Sequence, residues 1–183
     1  RFRFNGNSIY DQPYGDRNEF PCPDRLGSCT ITDSDYTSTR KGQLLEVFNT
    51  VDEAKQHLNF NPQLPSGLEG LRPVHVSIVD RDVLQVVYAY NELLKGKYFD
   101  RVDDMPKYIK YRVSTLSGNI AGDYKDYLPQ KTAIVNGMTV TYRMVDDAVY
   151  LASWEYEGQN YVFLFNEPVS VKWAREMINS VEY

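Results

Sequence analysis

The strongest constraint on the fold is a run of strict alternation near the C-terminus. Met138, Val140, Tyr142 and Met144 occupy every second position, with Thr139, Thr141 and Arg143 between them. Only an extended chain places such a set on one face, because successive side chains of a strand point to opposite sides. Asn136-Gly137 stands immediately before the run. That pair tolerates the positive φ of a two-residue hairpin turn, so Thr132–Val135 is expected to fold back as the preceding strand. Asp146-Asp147 then turns the chain into Ala148–Tyr156, and Glu157-Gly158-Gln159-Asn160 turns it into Tyr161–Phe165. This last run is wholly apolar or aromatic, which suits a central strand covered on both faces.

The same period recurs earlier. Val74, Val76 and Ile78 alternate with His75 and Ser77, Asp80-Arg81-Asp82 reads as a turn, and Val83–Tyr90 is a nearly continuous apolar strand. Residues 91–107 read as a loop with a helical turn around Glu92–Leu94. Tyr108–Leu116 alternates, with Ile109, Tyr111 and Val113 inward and Tyr108, Lys110 and Arg112 outward. Residues 117–130 read as a polar loop. Two helices interrupt the strands. Thr50-Val51-Asp52-Glu53 is a capping box, followed by Val51, Ala54 and Leu58 on one helical face and stopped by Pro62. Pro168 is expected to introduce a last helix, with Val171, Ala174, Ile178 and Val181 as its apolar stripe. The expectation is an α+β fold: an antiparallel sheet of about six or seven strands, one face covered by the C-terminal helix and the short Thr50 helix.

Residues 1–42 contrast with this. Arg1-Phe2-Arg3-Phe4 alternates briefly, and then Pro13, Gly15, Pro21, Pro23 and Gly27 punctuate a polar stretch. We read 1–42 as an irregular extension and 43–183 as one α+β domain. Cys22 and Cys29 lie in the extension with turn formers between them. If bonded they close a short loop, stabilising by up to roughly 2.5 kcal/mol. A disulfide would point to an exported protein. Free thiols and half of a metal site are the alternatives, although His57 and His75 stand at no zinc spacing. The chain opens with Arg1 rather than Met, which reads as a trimmed or mature form from which any signal or anchor segment has been removed. No run of apolar residues is long enough to form a membrane-spanning helix.

Charge limits the partners. The 183 residues carry 20 Lys+Arg against 25 Asp+Glu, a formal net charge of −5. A polyanion is repelled on average, so no nucleic-acid partner is expected. Lys95–Arg112 is a local exception, with basic residues interleaved with Tyr98, Tyr108 and Tyr111. Its simplest reading is a solvated strand face. The residues of an enzyme are hard to find. There is no Gly-x-Ser-x-Gly elbow, phosphate-cradling glycine loop or His-Glu-x-x-His. Asp33-x-Asp35 fails as a calcium loop, since Leu44 stands where the bidentate Glu belongs. Asp103-Asp104 and Asp146-Asp147 are adjacent pairs whose side chains diverge, unlike a glycosidase acid and nucleophile. No catalytic residue, metal or cofactor is expected.

The 15 tyrosines are the compositional oddity. Strands favour tyrosine, but exposed tyrosines also suit sugar and protein surfaces. Tyr88, Tyr90, Tyr108, Tyr124 and Tyr127 are candidates for exposure. Tyr88, Tyr90 and Tyr108, with Lys110 and Arg112, form the candidate ligand-binding set.

Several landmarks together resemble a known family. Thr50-Val-Asp-Glu-Ala54 with Pro62-Gln-Leu-Pro65-Ser-Gly67, then Asn136-Gly137, Ser153-Trp154-Glu155, Tyr161 and a closing helix with Ser180-Val181, are similar to domain of unknown function 4367. The resemblance covers residues 50–182 and supplies no active-site residue. It implies an extracytoplasmic domain of membrane-anchored, anti-sigma-factor-like bacterial proteins, tethered through a segment missing from this chain. The resulting expectation is a non-catalytic sensing or binding module for an unidentified ligand or protein, at the cell surface or secreted. A lipid or lipoprotein carrier with an apolar cavity is one alternative. A carbohydrate-binding or carbohydrate-acting protein is another.

Overall fold

The computed structural model describes residues 29–31, 44–95, 97, 99, 101–123 and 128–183. Eight strands form the body of one antiparallel sheet: β2 (Leu45–Phe48), β3 (Leu71–Val79), β4 (Val83–Tyr90), β5 (Tyr108–Ser114), β6 (Gln130–Val135), β7 (Met138–Val145), β8 (Ala148–Tyr156) and β9 (Gln159–Val169). A three-residue β1 (Cys29–Ile31) pairs with β2 at the edge. The helices are α1 (Val51–Lys55), α2 (Asn91–Leu94) and α3 (Val171–Asn179), with a 3-10 turn at Val102–Asp104. The α+β class agrees with the alternation in the sequence, while the strand count exceeds the expected six or seven. The excess comes from β2 and β1, whose short segments carry too few residues to display a period. The strand-like Arg1–Phe4, Cys22 and with it the Cys22–Cys29 pairing, Tyr98, Tyr124 and Tyr127 lie outside the described residues.

Turn chemistry sets the hairpins. Asp80 and Arg81 take φ of 51° and 70°, and Asn136 and Gly137 take 50° and 80°. Glu157 and Gly158 take 47° and 73°, so that turn is two residues long rather than four, and Gln159 and Asn160 join β9. Left-handed pairs of this kind match the twist of the flanking strands. They close the β3–β4, β6–β7 and β8–β9 hairpins within two meanders, β2–β5 and β6–β9. The strand order β1-β2-β3-β4-β5-β9-β8-β7-β6 shows how the meanders join, through β5 and β9. Since β9 occupies the place beside β5, the chain leaving β5 must cross the sheet to reach β6 at the far edge. The described residues 115–123 begin that crossing, with Ile120 and Ala121 packed on the sheet.

One face of the sheet packs under α1 and α3. Phe48, Val76, Ile78, Leu84, Val86, Ile109, Tyr111, Val113, Val140, Phe163 and Phe165 meet Ala54, Ala174, Met177 and Ile178 in one apolar cluster. Each large side chain buried there contributes roughly 1.5–3 kcal/mol. Much of the aromatic content lies in this layer. Trp154 stacks on Tyr161 with ring centroids 5.3 Å apart, and Tyr111 meets Phe163 at 5.0 Å. Phe165 then meets Trp173 of α3 edge-on at 5.8 Å.

The helices differ in detail from the sequence reading. Thr50 Oγ1 accepts from Glu53 N at 3.1 Å, as a capping box requires, and the Glu53 carboxylate accepts from Asn49 N, one residue before the cap. The helix ends at Lys55, and Leu58 packs on the core from beyond it. Pro168 lies inside β9, and Ser170 caps α3 by accepting from Trp173 N at 3.2 Å. Val171 is exposed, and Met177 takes the buried place expected of it. Val181 lies past the helix, in a bridge to Pro65.

Candidate functional site

The opposite face of the sheet is only partly covered. The crossing segment packs Ile120 and Ala121 on Val79, Val83, Leu151 and Val162. Further along, Met105, Phe99 and Val102 pack on Val87 and Ala89. Between and beside these patches runs a transverse row of polar side chains. Strand register aligns Ser77 with Gln85, Gln85 with Arg112, Arg112 with Val162, Val162 with Ser153, Ser153 with Thr141 and Thr141 with Thr132. Seven neighbouring strands thus contribute to one line, interrupted only by Val162.

The two halves of this row behave differently. In the β3–β5 half the polar groups are committed to one another. Gln85 Nε2 donates to Ser77 Oγ at 3.3 Å, and Arg112 Nε and Nη2 donate to Gln85 Oε1 at 2.8 and 2.6 Å. Arg112 Nη1 donates to the Ile120 carbonyl at 3.0 Å and so pins the crossing segment to the sheet. Beside the row, Asp103 Oδ1 accepts from Tyr108 OH at 3.1 Å and lies 3.5 Å from Lys110 Nζ. Burial pushes the Tyr108 hydroxyl well above the ordinary phenol range, and Asp103 pushes it further. Burial pushes the Lys110 ammonium and the His75 imidazole down, and Lys110 adds to the effect on His75.

In the β7–β9 half the row opens into a cleft of about 240 Å³. Thr139, Thr141, Ser153, Glu155 and Asn160 line its floor, and Gly118 and Ile120 of the crossing segment form one wall. The cleft exists because the topology sends the chain leaving β5, through residues 115–123, over this face. Asn160 Nδ2 holds the wall by donating to the Leu116 carbonyl at 2.9 Å. Asn119 stiffens the wall, accepting from Ala121 N at 3.1 Å and donating to the Asp123 carbonyl at 2.8 Å. Trp154 and Tyr161 also border the cleft, but their rings lie in the helix-side core.

The candidate set from the sequence divides between the two faces. Tyr108, Lys110 and Arg112 come together on the partly open face. Tyr88 does not join them: it is 6 % exposed and belongs to the helix-side core. Tyr90 also lies on the helix side, stacked on Trp173 at 6.4 Å with Lys107 Nζ 4.9 Å from its ring centroid. The cause is register, which pairs Tyr88 with Ile109 and Val87 with Lys110. Lys110 and Arg112 are engaged in holding segments to the sheet. The cleft residues escaped the sequence reading, although the alternation of Thr139 and Thr141 with buried Val140 already placed both on the non-core face.

Among the described residues no group of three or more His, Cys, Asp or Glu side chains is arranged to hold a metal. Asp103 is tied to Tyr108 and Lys110, and Asp147 pairs with Lys131 at 3.9 Å on the surface. No helix among the described residues is long and apolar enough to cross a membrane.

Fold and cleft together define an α+β protein built on one antiparallel sheet, with a polar recess on the face opposite α1 and α3. Comparison with family models, curated proteins and solved structures returns no match.

Proposed function

We propose that this protein is a non-catalytic binding module whose ligand lies in the polar cleft over β7–β9. The observation that carries the reading is the change of character along the transverse row. Ser77, Gln85 and Arg112 spend their polar groups on one another, whereas Thr139, Thr141, Ser153 and Glu155 have no side-chain hydrogen bond or ion pair to another described residue. Polar groups gathered in a recess and left unspent by the fold are available to a ligand. Among the described residues the cleft holds one carboxylate and no histidine, lysine or cysteine, and these supply no nucleophile–base pair.

We extend the proposal to setting: an extracytoplasmic module of a membrane-anchored bacterial regulator. The resemblance over residues 50–182 and the Cys22–Cys29 spacing support it. The lipid-carrier reading is weaker. The helix-side core is filled by aromatic side chains, and the cleft presents hydroxyl and amide groups rather than apolar ones.

A fragment screen by two-dimensional amide NMR tests the binding reading. Fragments are expected to shift the amides of Thr139, Thr141, Ser153 and Asn160. Hits mapping only to the helix side would refute it. So would turnover of chromogenic esters, phosphates or glycosides that one substitution abolishes. Fusion of the full-length gene to alkaline phosphatase tests the setting, with active phosphatase as the expected result.

A further inference from the structure

The donors and acceptors that line the cleft are unequal, and the imbalance selects a ligand class. This inference rests on the binding reading above and makes it chemically specific. Glu155 contributes two acceptor oxygens and no donor while ionised. Asn160 has committed one of its two amide hydrogens to the Leu116 carbonyl, so its second N–H and its Oδ1 remain for a ligand. Thr139, Thr141 and Ser153 each supply one hydroxyl that both donates and accepts. Among the described lining residues acceptors therefore still outnumber donors, and a ligand must bring hydrogens.

An anion brings none. It would also meet the Glu155 carboxylate on a chain of net charge −5. A hydrocarbon would leave every lining group without a partner. A polyhydroxylated ring brings several donors at spacings of one or two carbons. A carboxylate can accept from two vicinal hydroxyls at once, while the threonine and serine hydroxyls return donors to the ring oxygens. A volume of about 240 Å³ admits one such ring. The rings of Trp154 and Tyr161 lie on the other side of the sheet, so the contact is made through hydrogen bonds to the ring's edge rather than by stacking.

We infer that the cleft is a binding site for one neutral saccharide ring, with Glu155 taking a vicinal diol and Thr139, Thr141, Ser153 and Asn160 Oδ1 taking the remaining hydroxyls. A single-ring site of this kind is expected to bind weakly, with dissociation constants in the millimolar range.

The test is an amide NMR titration of the whole chain with glucose, galactose, mannose and N-acetylglucosamine, each run separately. Parallel titrations use butylamine, inorganic phosphate and an extended neutral peptide. The expected result is saturable shifts of the Thr139, Thr141, Ser153, Glu155 and Asn160 amides with at least one sugar. Glu155→Gln should weaken that affinity about tenfold or more, the loss expected of a hydrogen bond to a charged group. Thr141→Val, which keeps the shape and removes one hydroxyl, should weaken it several-fold. Both positions are partly or fully solvent-facing, and unchanged spectra elsewhere will show that the variants fold. Cleft shifts produced by butylamine or the peptide and by no sugar overturn the saccharide assignment and leave the binding reading intact. Shifts confined to residues outside the cleft overturn both. Sugar binding that survives both substitutions unchanged overturns the assignment of these contacts.

Discussion

Arg112 donates twice to a single oxygen, Gln85 Oε1, at 2.8 and 2.6 Å. Its remaining terminal nitrogen reaches across to the Ile120 carbonyl. One side chain of β5 thereby joins the centre of the sheet to the segment that crosses over it. Hydrogen bonds from a charged donor each contribute about 1.5–3 kcal/mol, and their loss leaves Gln85 Oε1 underused in a buried place. Arg112→Met is expected to lower stability by about 2–3 kcal/mol in urea unfolding. It should also raise amide exchange at Ile120 and Ala121 more than at Val86 in β4. Uniform exchange across all three positions would show that Arg112 does not hold the crossing segment.

Gly122 makes that contact possible. It takes a φ of +67°, and a Cβ built there would lie 2.4 Å from Arg112 Nη1. Gly137 also has a positive φ, +80°, but open space around its Cβ position. Gly137→Ala therefore measures backbone strain alone, about 1 kcal/mol or more. Gly122→Ala should cost more, since the guanidinium must move off the Ile120 carbonyl. The difference between the two variants should shrink when Arg112→Met is present, as expected for groups in contact.

His75 predicts a response to acid. Its pKa in the folded protein is pushed below the usual 6.5 by burial, with the Lys110 ammonium acting in the same sense. The unfolded chain therefore takes up the proton first. The stability linked to His75 is complete above pH 6.5 and is lost as the pH falls through the folded-state value. His75→Gln should flatten this part of the stability profile, read as urea midpoints on both sides of pH 6.5. An unchanged slope would exclude His75 as the titrating group.

Tyr88 and Tyr161 predict the opposite limb. Burial raises each phenol from 10 to about 12. The folded state keeps them neutral, so their contribution is complete below pH 10 and is lost as the pH rises toward 12. Tyr88→Phe should make alkaline unfolding less steep, and absorbance of tyrosinate should appear together with unfolding rather than before it. Tyrosinate forming in the native protein at ordinary phenol pH would contradict the burial of these rings.

Trp154 Nε1 donates to Tyr183 OH at 2.7 Å, and the Tyr183 ring meets those of Tyr156 and Tyr161 at 4.4 and 5.9 Å. The last residue of the sequence thus closes over the aromatic layer. Tyr183→Phe should cost about 1 kcal/mol through the lost hydrogen bond. Tyr183→Ala should cost more through the lost ring contacts. Thermal unfolding followed by tryptophan fluorescence distinguishes the two, and equal losses would mean that the hydroxyl carries the whole effect.

Much of the local structure was legible because it depends on neighbours in the chain. The spans Val83–Tyr90 and Ala148–Tyr156 follow from composition and bounding turns, and Asn136-Gly137 fixes a hairpin because few residues accept its positive φ. Ile109, Tyr111 and Val113 are core residues as their alternation predicts. The division of the tyrosines was not legible. In β4 both faces are apolar, so no alternation marks Tyr88 as belonging to the helix side. Only its pairing with Ile109 decides that.

The sequence by itself determined the elements: where the chain is extended, where it turns, where a helix can start, and which members of an alternating strand share a face. These are outcomes of φ/ψ preference and of side-chain period, both set within a few residues. The tertiary structure alone decided that β9 lies beside β5, that the chain leaving β5 must consequently cross the sheet, and that this crossing walls a cleft over Thr141 and Ser153. Adjacency between β5 and β9 is a contact between residues such as Tyr108 and Asn166, 58 positions apart. Its free energy depends on burying both faces of the whole sheet at once, and no local pattern encodes that sum.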